Sequence, residues 1–307
     1  MINSIDASSF DSGTAYIAGT RYKLGDFTPY LYVTDDYGKN WKLITNGIKD
    51  EHFTRVLRSD KVNKNILYAG TETGMYISYD RGNSWNEFQK NLPIVPITDL
   101  TIKDNSLIVA TQGRSIWMID DLTVFHQLTP STDQMKLYKP KDSYRMGGAG
   151  GRKSLTAGTN LPNGAIIHYF IPNYDKENDQ VSLSIHSADG TLVKEFSDKS
   201  KENLLKVKNG GNSFVWNMKY PGAKRLDNMV LWGADFTGAK AVPGNYIVKL
   251  KVNDTEMTQE FTIHKDPTSE GSIDDIKAQF EFVNEINGVV DKAHKAIENI
   301  RSMKTDL

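Results

Sequence analysis

The 307-residue chain contains no cysteine. That excludes disulfides, thiolate metal centres and a thiol nucleophile, but it leaves the compartment open. No run of about 18 apolar residues occurs, so no segment reads as a helix that spans a bilayer. An excess of one charge sign is also missing: 37 Lys+Arg stand against 38 Asp+Glu, a net charge of −1. So balanced a chain has no general attraction for nucleic acid or an anionic membrane. The first residues, MINSIDASSF, lack the basic and apolar stretches of a secretory leader. Helix-period patterning is absent until about residue 265, while turn residues are spread evenly before it.

What is present is a repeat. TDDYGKNW, from Thr34 to Trp41, recurs as SYDRGNSW, from Ser78 to Trp85, and Thr34, Asp36, Gly38 and Trp41 are matched by Ser78, Asp80, Gly82 and Trp85. Ser78 follows Thr34 by 44 residues, the span of one four-stranded β-propeller blade. The likeness spreads outward: YLYVTDDYGKNWKLITNGI aligns with GMYISYDRGNSWNEFQKNL, and TAYIAGT from Thr14 with ILYAGTE from Ile66. A weaker third copy, Ser106 to Leu122, keeps its strand and turn, but Gly113 falls one place earlier than Gly74 and the Gly-x-x-Trp is lost. Decay of this kind marks the end of a repeat array. Two and a half blades cannot close a ring, so residues 1–126 are expected to be the tail of a longer propeller or to pair with another chain.

Beyond residue 126 the pattern changes. Lys139 to Gly164 is Gly-rich, and 127–164 reads as an extended linker. Alternation returns over 165–265: Val181, Leu183 and Ile185 oppose Ser182, Ser184 and His186, Phe214, Trp216 and Met218 share a face, and so do Tyr246, Val248, Leu250 and Val252. Asp189-Gly190 and Asn253-Asp254 supply hairpin turns. Seven or eight strands in about 100 residues predict an Ig/fibronectin-like β-sandwich, with Trp216 packed on aliphatic side chains in place of a disulfide. Ser272 and Asp275 form a capping box for a long C-terminal helix within 266–307. Its apolar stripe is Ile276, Phe280, Val283, Val290 and Ile297, widened by Ile286, Ala293 and Ile300. The stripe is expected to dock along the β domains or against a second helix. The fold class is therefore mainly β: a partial propeller of two to three blades, a sandwich, then an amphipathic helix.

In the pattern S/T-x-D-x-G-x-[ST]-W, the short Asp side chain accepts hydrogen bonds from N–H groups of the turn. Gly allows positive φ, and Trp folds back over a blade edge. Asn40 stands where Ser or Thr is usual. All eight matched residues are read as structural, because equivalent turns in neighbouring blades lie too far apart to form a general acid/base pair.

These turns are Asp-boxes, or BNR repeats. Together with LPIVPITDL, ATQGRSIWMIDDL, FVWNMKYPGA, MVLWGADFTG, VPGNYIVKLKV and AHKAIENIR, they make the chain resemble the C-terminal part of large bacterial BNR-repeat proteins of the glycosyl-hydrolase-like, VPS10/sortilin-like propeller family. The family more often has His where Gln112 stands. The resemblance implies a secreted, periplasmic or cell-envelope protein in which a large propeller is followed by an Ig-like module and helices. It implies no catalytic residue here, since the glycosidase carboxylates of xyloglucanase-like members belong to earlier blades.

Sharper chemical readings fail on detail. Gly147 to Ser154 has Arg152 where a phosphate loop needs Gly. Asn173, Asp175, Glu177 and Asp179 lack the Gly and closing Glu of a calcium loop and read as a solvated hairpin tip. His52, His126, His168, His186, His264 and His294 show no metal-ligand spacing, and no metal or other cofactor is expected. Asp99, Asp120, Asp121 and Glu72 are the propeller acids nearest a channel, and Asp120-Asp121 reads as a turn. Among Tyr30, Tyr32, Tyr76, Trp117, Trp232 and Phe236, most are expected in the core; Trp232 and Phe236, in the loop LWGADFTG, are the candidate binding residues.

The expected function is a non-catalytic scaffold or binding segment of a larger secreted propeller, with the rest of that propeller, another protein or a glycan as partner. The alternative is the accessory C-terminal part of a glycoside hydrolase whose carboxylates lie upstream. A self-sufficient adhesion module would need 1–126 to be stable alone.

Overall fold

The computed structural model describes residues 1–128, 134–147, 160–226, 228–230, 233 and 236–305. The chain is mainly β with one C-terminal helix and divides into two units, Met1–Ser131 and Thr132–Leu307. No helix among the described residues is long and apolar enough to cross a membrane.

The first unit is a propeller-like row of antiparallel sheets. Blade 1 comprises β1 (Ile2–Ala7), β2 (Ala15–Arg21), β3 (Asp26–Thr34) and β4 (Lys42–Leu43). Blade 2 comprises β5 (Thr54–Ser59), β6 (Leu67–Thr71), β7 (Gly74–Ser78) and β8 (Asn86–Glu87). Each is a meander in which every strand pairs with the next. A third sheet holds β9 (Ile97–Lys103), β10 (Ser106–Thr111) and β11 (Ile116–Ile119) in the same order.

Sheet-on-sheet packing explains which residues are apolar. Leu57, Leu67, Ala69, Tyr76 and Trp85 of blade 2 share a core with Tyr16, Ala18, Leu31, Val33, Ile44 and Ile48 of blade 1. From its other face blade 2 sends Val56, Tyr68, Met75, Ile77 and Phe88 against Leu100, Leu107 and Val109 of the third sheet. Covered on both sides, β6 and β7 are buried along their whole length. In register, Ala18 pairs with Leu31 as Gly70 pairs with Met75. The blade 1 hairpin is eight residues longer, and the extra length holds a single 3-10 turn, Tyr22–Leu24. Tyr22 stacks on Phe53 at 5.1 Å, and the Arg55 guanidinium lies 5.4 Å from the Phe53 ring centre.

The second unit contains two sheets around one core. β12 (Lys136–Leu137), β14 (Ala165–Ile171) and β17 (Gly210–Trp216) form a three-stranded sheet in the order β12-β14-β17. β13 (Ser143–Arg145), β15 (Val181–Ser187), β16 (Leu192–Ser197), β18 (Gly244–Val252) and β19 (Thr255–Lys265) form a five-stranded one in the order β13-β19-β18-β15-β16. Two differences from the sequence reading stand out. Residues 136–145, expected as linker, contribute β12 and β13. Neither is long enough to show alternation, and β13 lies parallel to β19, so only tertiary pairing reveals them. Trp216, expected among aliphatics, has Tyr246 at 5.6 Å and Phe261 at 6.4 Å, two residues paired in register on the facing sheet.

The helix α1 (Ile273–Thr305) begins at a reciprocal cap: Asp275 N–H donates to Ser272 Oγ at 3.1 Å, and Ser272 N–H to Asp275 Oδ2 at 2.8 Å. It docks on the loop residues 217–226 and 236–241 of its own unit through the buried Ile276 and His294 and the half-buried Phe280, Val283 and Val290. Ile297, expected in the stripe, and Ile286, Ala293 and Ile300, expected to widen it, are exposed with Phe282 and Val289 as a second apolar line.

Trp216→Ala is expected to cost about 3–5 kcal/mol, measured as a lower urea midpoint for the second unit. Ser272→Ala is expected to cost about 1 kcal/mol, read as loss of helical ellipticity at lower temperature.

Candidate functional site

Both Asp-box turns have the same internal geometry. In blade 1, Thr34 Oγ1 donates to Asp36 Oδ1 at 2.8 Å and accepts from Gly38 N–H at 2.9 Å. Asp36 Oδ1 also accepts from Asn40 N–H at 2.9 Å, and Oδ2 from Asn40 Nδ2 at 2.7 Å. In blade 2, Ser78 Oγ donates to Asp80 Oδ1 and accepts from Gly82 N–H, both at 2.8 Å. Ser84 gives Asp80 its N–H at 2.8 Å and its hydroxyl at 2.5 Å. Asn40 thus does with an amide what Ser84 does with a hydroxyl. The glycines take φ of 84° and 87°, and the residues before them, Tyr37 and Arg81, are also left-handed at 61°. The sequence pattern marks the glycine and leaves its neighbour unmarked.

Hydrogen bonding holds these carboxylates ionised. The Asn40 backbone and side chain, then Thr34, lower the Asp36 pKa. Burial works against Asp80, but the donors of Ser84 and Ser78 outweigh it and bring its carboxyl below the usual range. An ionised, fully occupied carboxylate is a clamp on a turn and has no proton to give.

The second turn also joins two blades. Trp85 is buried, donates its indole N–H to Ile44 O at 2.7 Å, and its backbone N–H bonds Asn46 O at 2.9 Å. Asn46 Nδ2 reaches Asn83 O at 3.1 Å, and Arg81 bonds Asp35 at 3.0 Å. Trp41, its counterpart in blade 1, is 40% exposed against 4% for Trp85, and among the described residues its indole N–H has no hydrogen-bond partner. Trp41 was expected to cover a blade edge as Trp85 does; within the described residues there is no blade on that side for it to cover.

Around Trp41 lies a row of apolar partners. Ile5, Ile17, Tyr32 and Leu43 are aligned across β1 to β4. The equivalent row in blade 2 is Leu57, Ala69, Tyr76 and Glu87. Its first three members are at most 2% exposed, whereas Ile5 is 69% exposed and Leu43 49%. Tyr30 stacks parallel to Tyr32 at 6.5 Å and donates its hydroxyl to Asp26 at 2.7 Å. This open face is the candidate site.

The remaining candidates are engaged elsewhere. Asp99 pairs with Arg58 at 2.7 Å and Glu72 with Arg55. Asp121 accepts from Thr123 N–H and Asn105 Nδ2, both at 2.9 Å. Asp175 accepts from the N–H groups of Glu177 and Asn178, which makes the NYDKENDQ segment a local turn. Among the described residues no three His, Asp or Glu gather as a metal site needs. Tyr76 is buried, Trp117 is half-buried, and Phe236 packs edge-on to His294 of α1 at 5.6 Å. Trp232 and most of Gly147 to Ser154 lie outside the described residues. Sequence reasoning missed Asp60, fully buried, which accepts from Val62 and Asn63 N–H, from Tyr68 Oη at 3.3 Å and lies 3.0 Å from His126 Nε2. No repeat or spacing signals it.

No family model matches the chain, and no curated protein matches it. Several solved structures are similar in part, three of them as follows. An ancestral GH74 enzyme aligns with a TM-score of 0.30 at 19% identity, over 37% of this chain and 14% of that one. The GH74 enzyme of Niastella koreensis aligns at 0.33 and 12% identity, over 46% and 24%. YCF48, bound to D1 peptide, aligns at 0.27 and 12% identity, over 72% and 61%. The chain spans less than two thirds of each of these proteins, and scores this low carry no argument about what it does.

Because the folded pKa of Asp80 is depressed, its contribution to stability is present above the unfolded value, about 3.9, and is lost as pH falls through the lower folded value. Asp80→Asn is therefore expected to flatten the decline of the first unit's melting temperature below about pH 4, followed by circular dichroism.

Proposed function

We propose that this chain is a non-catalytic scaffold and binding segment of a larger propeller assembly, in which the open face of blade 1 receives a further Asp-box blade. The observation that carries this reading is the contrast between Trp85 and Trp41 at equivalent positions of one repeat. The blade 1–blade 2 junction supplies the template: an Asp-box Trp, a cross-strand apolar row and a donated indole N–H, all met by the neighbouring sheet. Blade 1 offers the same set, with no sheet of the described residues upon it. Engagement of the acids by arginines and turn amides supports a structural role over catalysis, which needs two free carboxylates about 5–9 Å apart.

Trp85→Ala is expected to destabilise the isolated chain by about 3–5 kcal/mol, and Trp41→Ala by less than about 1 kcal/mol, in parallel denaturant titrations. A hydrophobic dye should bind the wild type and lose much of its fluorescence on the triple variant Ile5→Ser, Trp41→Ser, Leu43→Ser. Equal costs at the two tryptophans, or unchanged dye binding, would remove the reading.

A further inference from the structure

A second site lies within the second unit, where the loop residues 217–226 and 236–241 meet α1. Two stretches of that loop approach so closely that only glycine fits: a Cβ on Gly238 would stand 1.9 Å from Tyr220 O, and one on Gly222 1.8 Å from Phe236 O. The approach is locked by Tyr220 N–H to Ala239 O at 2.9 Å and Ala241 N–H to Met218 O at 2.7 Å. Lys219 and Lys240 thereby become direct antiparallel bridge partners. Like charges placed opposite each other repel, and nothing in the backbone pairing requires them to be lysines.

A third cation joins them. Arg145, at the end of β13, donates to Ala241 O and to Gln279 Oε1 of α1, both at 3.0 Å. Lys219 donates to Thr237 Oγ1 at 2.7 Å and Lys240 to Met146 O. Every one of these acceptors is neutral, and no ion pair involves Arg145, Lys219 or Lys240 among the described residues. Among the described residues these bonds use one of the three N–H donors of each lysine and two of the five of Arg145. All three are half-buried around one recess of about 300 Å³, whose wall includes Phe280 and Val283. Burial, then the charges of Arg145 and Lys219, lower the Lys240 pKa, while the Asp266 carboxylate, outside the lining of the recess, opposes them.

We propose that this recess binds a doubly charged phosphoryl group carried as a monoester on a ligand whose apolar body lies against Phe280 and Val283. Three converging cations, with no acid among the described residues that line the recess, match a charge of about −1.5 to −2 and three acceptor oxygens. A carboxylate would leave two of the three uncompensated. The site is independent of the blade 1 face and stands or falls without it.

The test is calorimetric titration of the full chain at neutral pH and matched ionic strength, with phenyl phosphate, inorganic phosphate and benzoate as probes. Phenyl phosphate should bind more tightly than the other two. Lys240→Met should weaken it by about ten-fold or more, and should hold or raise the melting temperature measured without anion, since it relieves repulsion. A lysine of merely structural value would lower that temperature instead. Should Lys240→Met fail to fold, Lys219→Gln carries the same expectations. The proposal is overturned if the wild type binds phenyl phosphate no tighter than about 10 mM, or if the variants bind it as the wild type does. Equal affinity for inorganic phosphate and its phenyl ester overturns the ester assignment.

Discussion

A meander of four short strands has two faces, and when both are apolar each must be covered by another sheet. That constraint organises the first unit. Blade 2 is covered on both sides, and its inner strands are buried throughout. Among the described residues blade 1 is covered by a sheet on one side only, and β1 is exposed or half-buried along its length. The third sheet repeats this at the other end of the row, where Ile116 and Met118 of β11 are exposed. Burial at about 25 cal/mol per Å² rewards stacking wherever such a face is left open. The Asp-box serves the stacking, because its hydrogen-bonded turn aims Trp85 at the neighbouring sheet and holds it there.

Much of this was legible in the chain because repeats duplicate their physics. Ser78, Asp80 and Gly82 recur at fixed offsets because the turn closes with a short acceptor and a left-handed position, and Trp85 recurs with them as the side chain that packs between blades. Alternation exposed the inward faces of β15, β18 and β19 for the same reason, since period two admits one solution. Other features left no local trace. β12 and β13 are too short for a pattern and exist through long-range pairing. Trp216 was legible as core, but its neighbours Tyr246 and Phe261 depend on which strands pair. The division of α1 into a docked face and an exposed line is set by where residues 217–226 and 236–241 lie, which periodicity within the helix does not encode.

Buried polar groups follow the same logic. Asp60 is inaccessible, yet His126 and two backbone amides hold its carboxyl below the usual range against burial. Asn63 donates in turn to His126 O at 3.2 Å, so the segment after β11 is tied to the β5–β6 turn. An acid and an imidazole in contact invite a catalytic reading. The hydroxyl nearest them, on Tyr68, is itself buried and pushed far up in pKa, so the cluster works as a fastener.

The longer hairpin of blade 1 separates frame from ornament. Its eight additional residues leave the ladder register of β2 and β3 equivalent to that of β6 and β7. Loop closure grows costlier only logarithmically, by about 0.6 kcal/mol per doubling of length, and the Tyr22–Phe53 stack offsets part of that. A rim hairpin in this architecture can therefore lengthen, acquire aromatic and charged side chains and diversify while the sheets beneath keep their spacing. Variation among such proteins should accumulate at that rim, and grafted recognition loops should be tolerated there before anywhere else in the row.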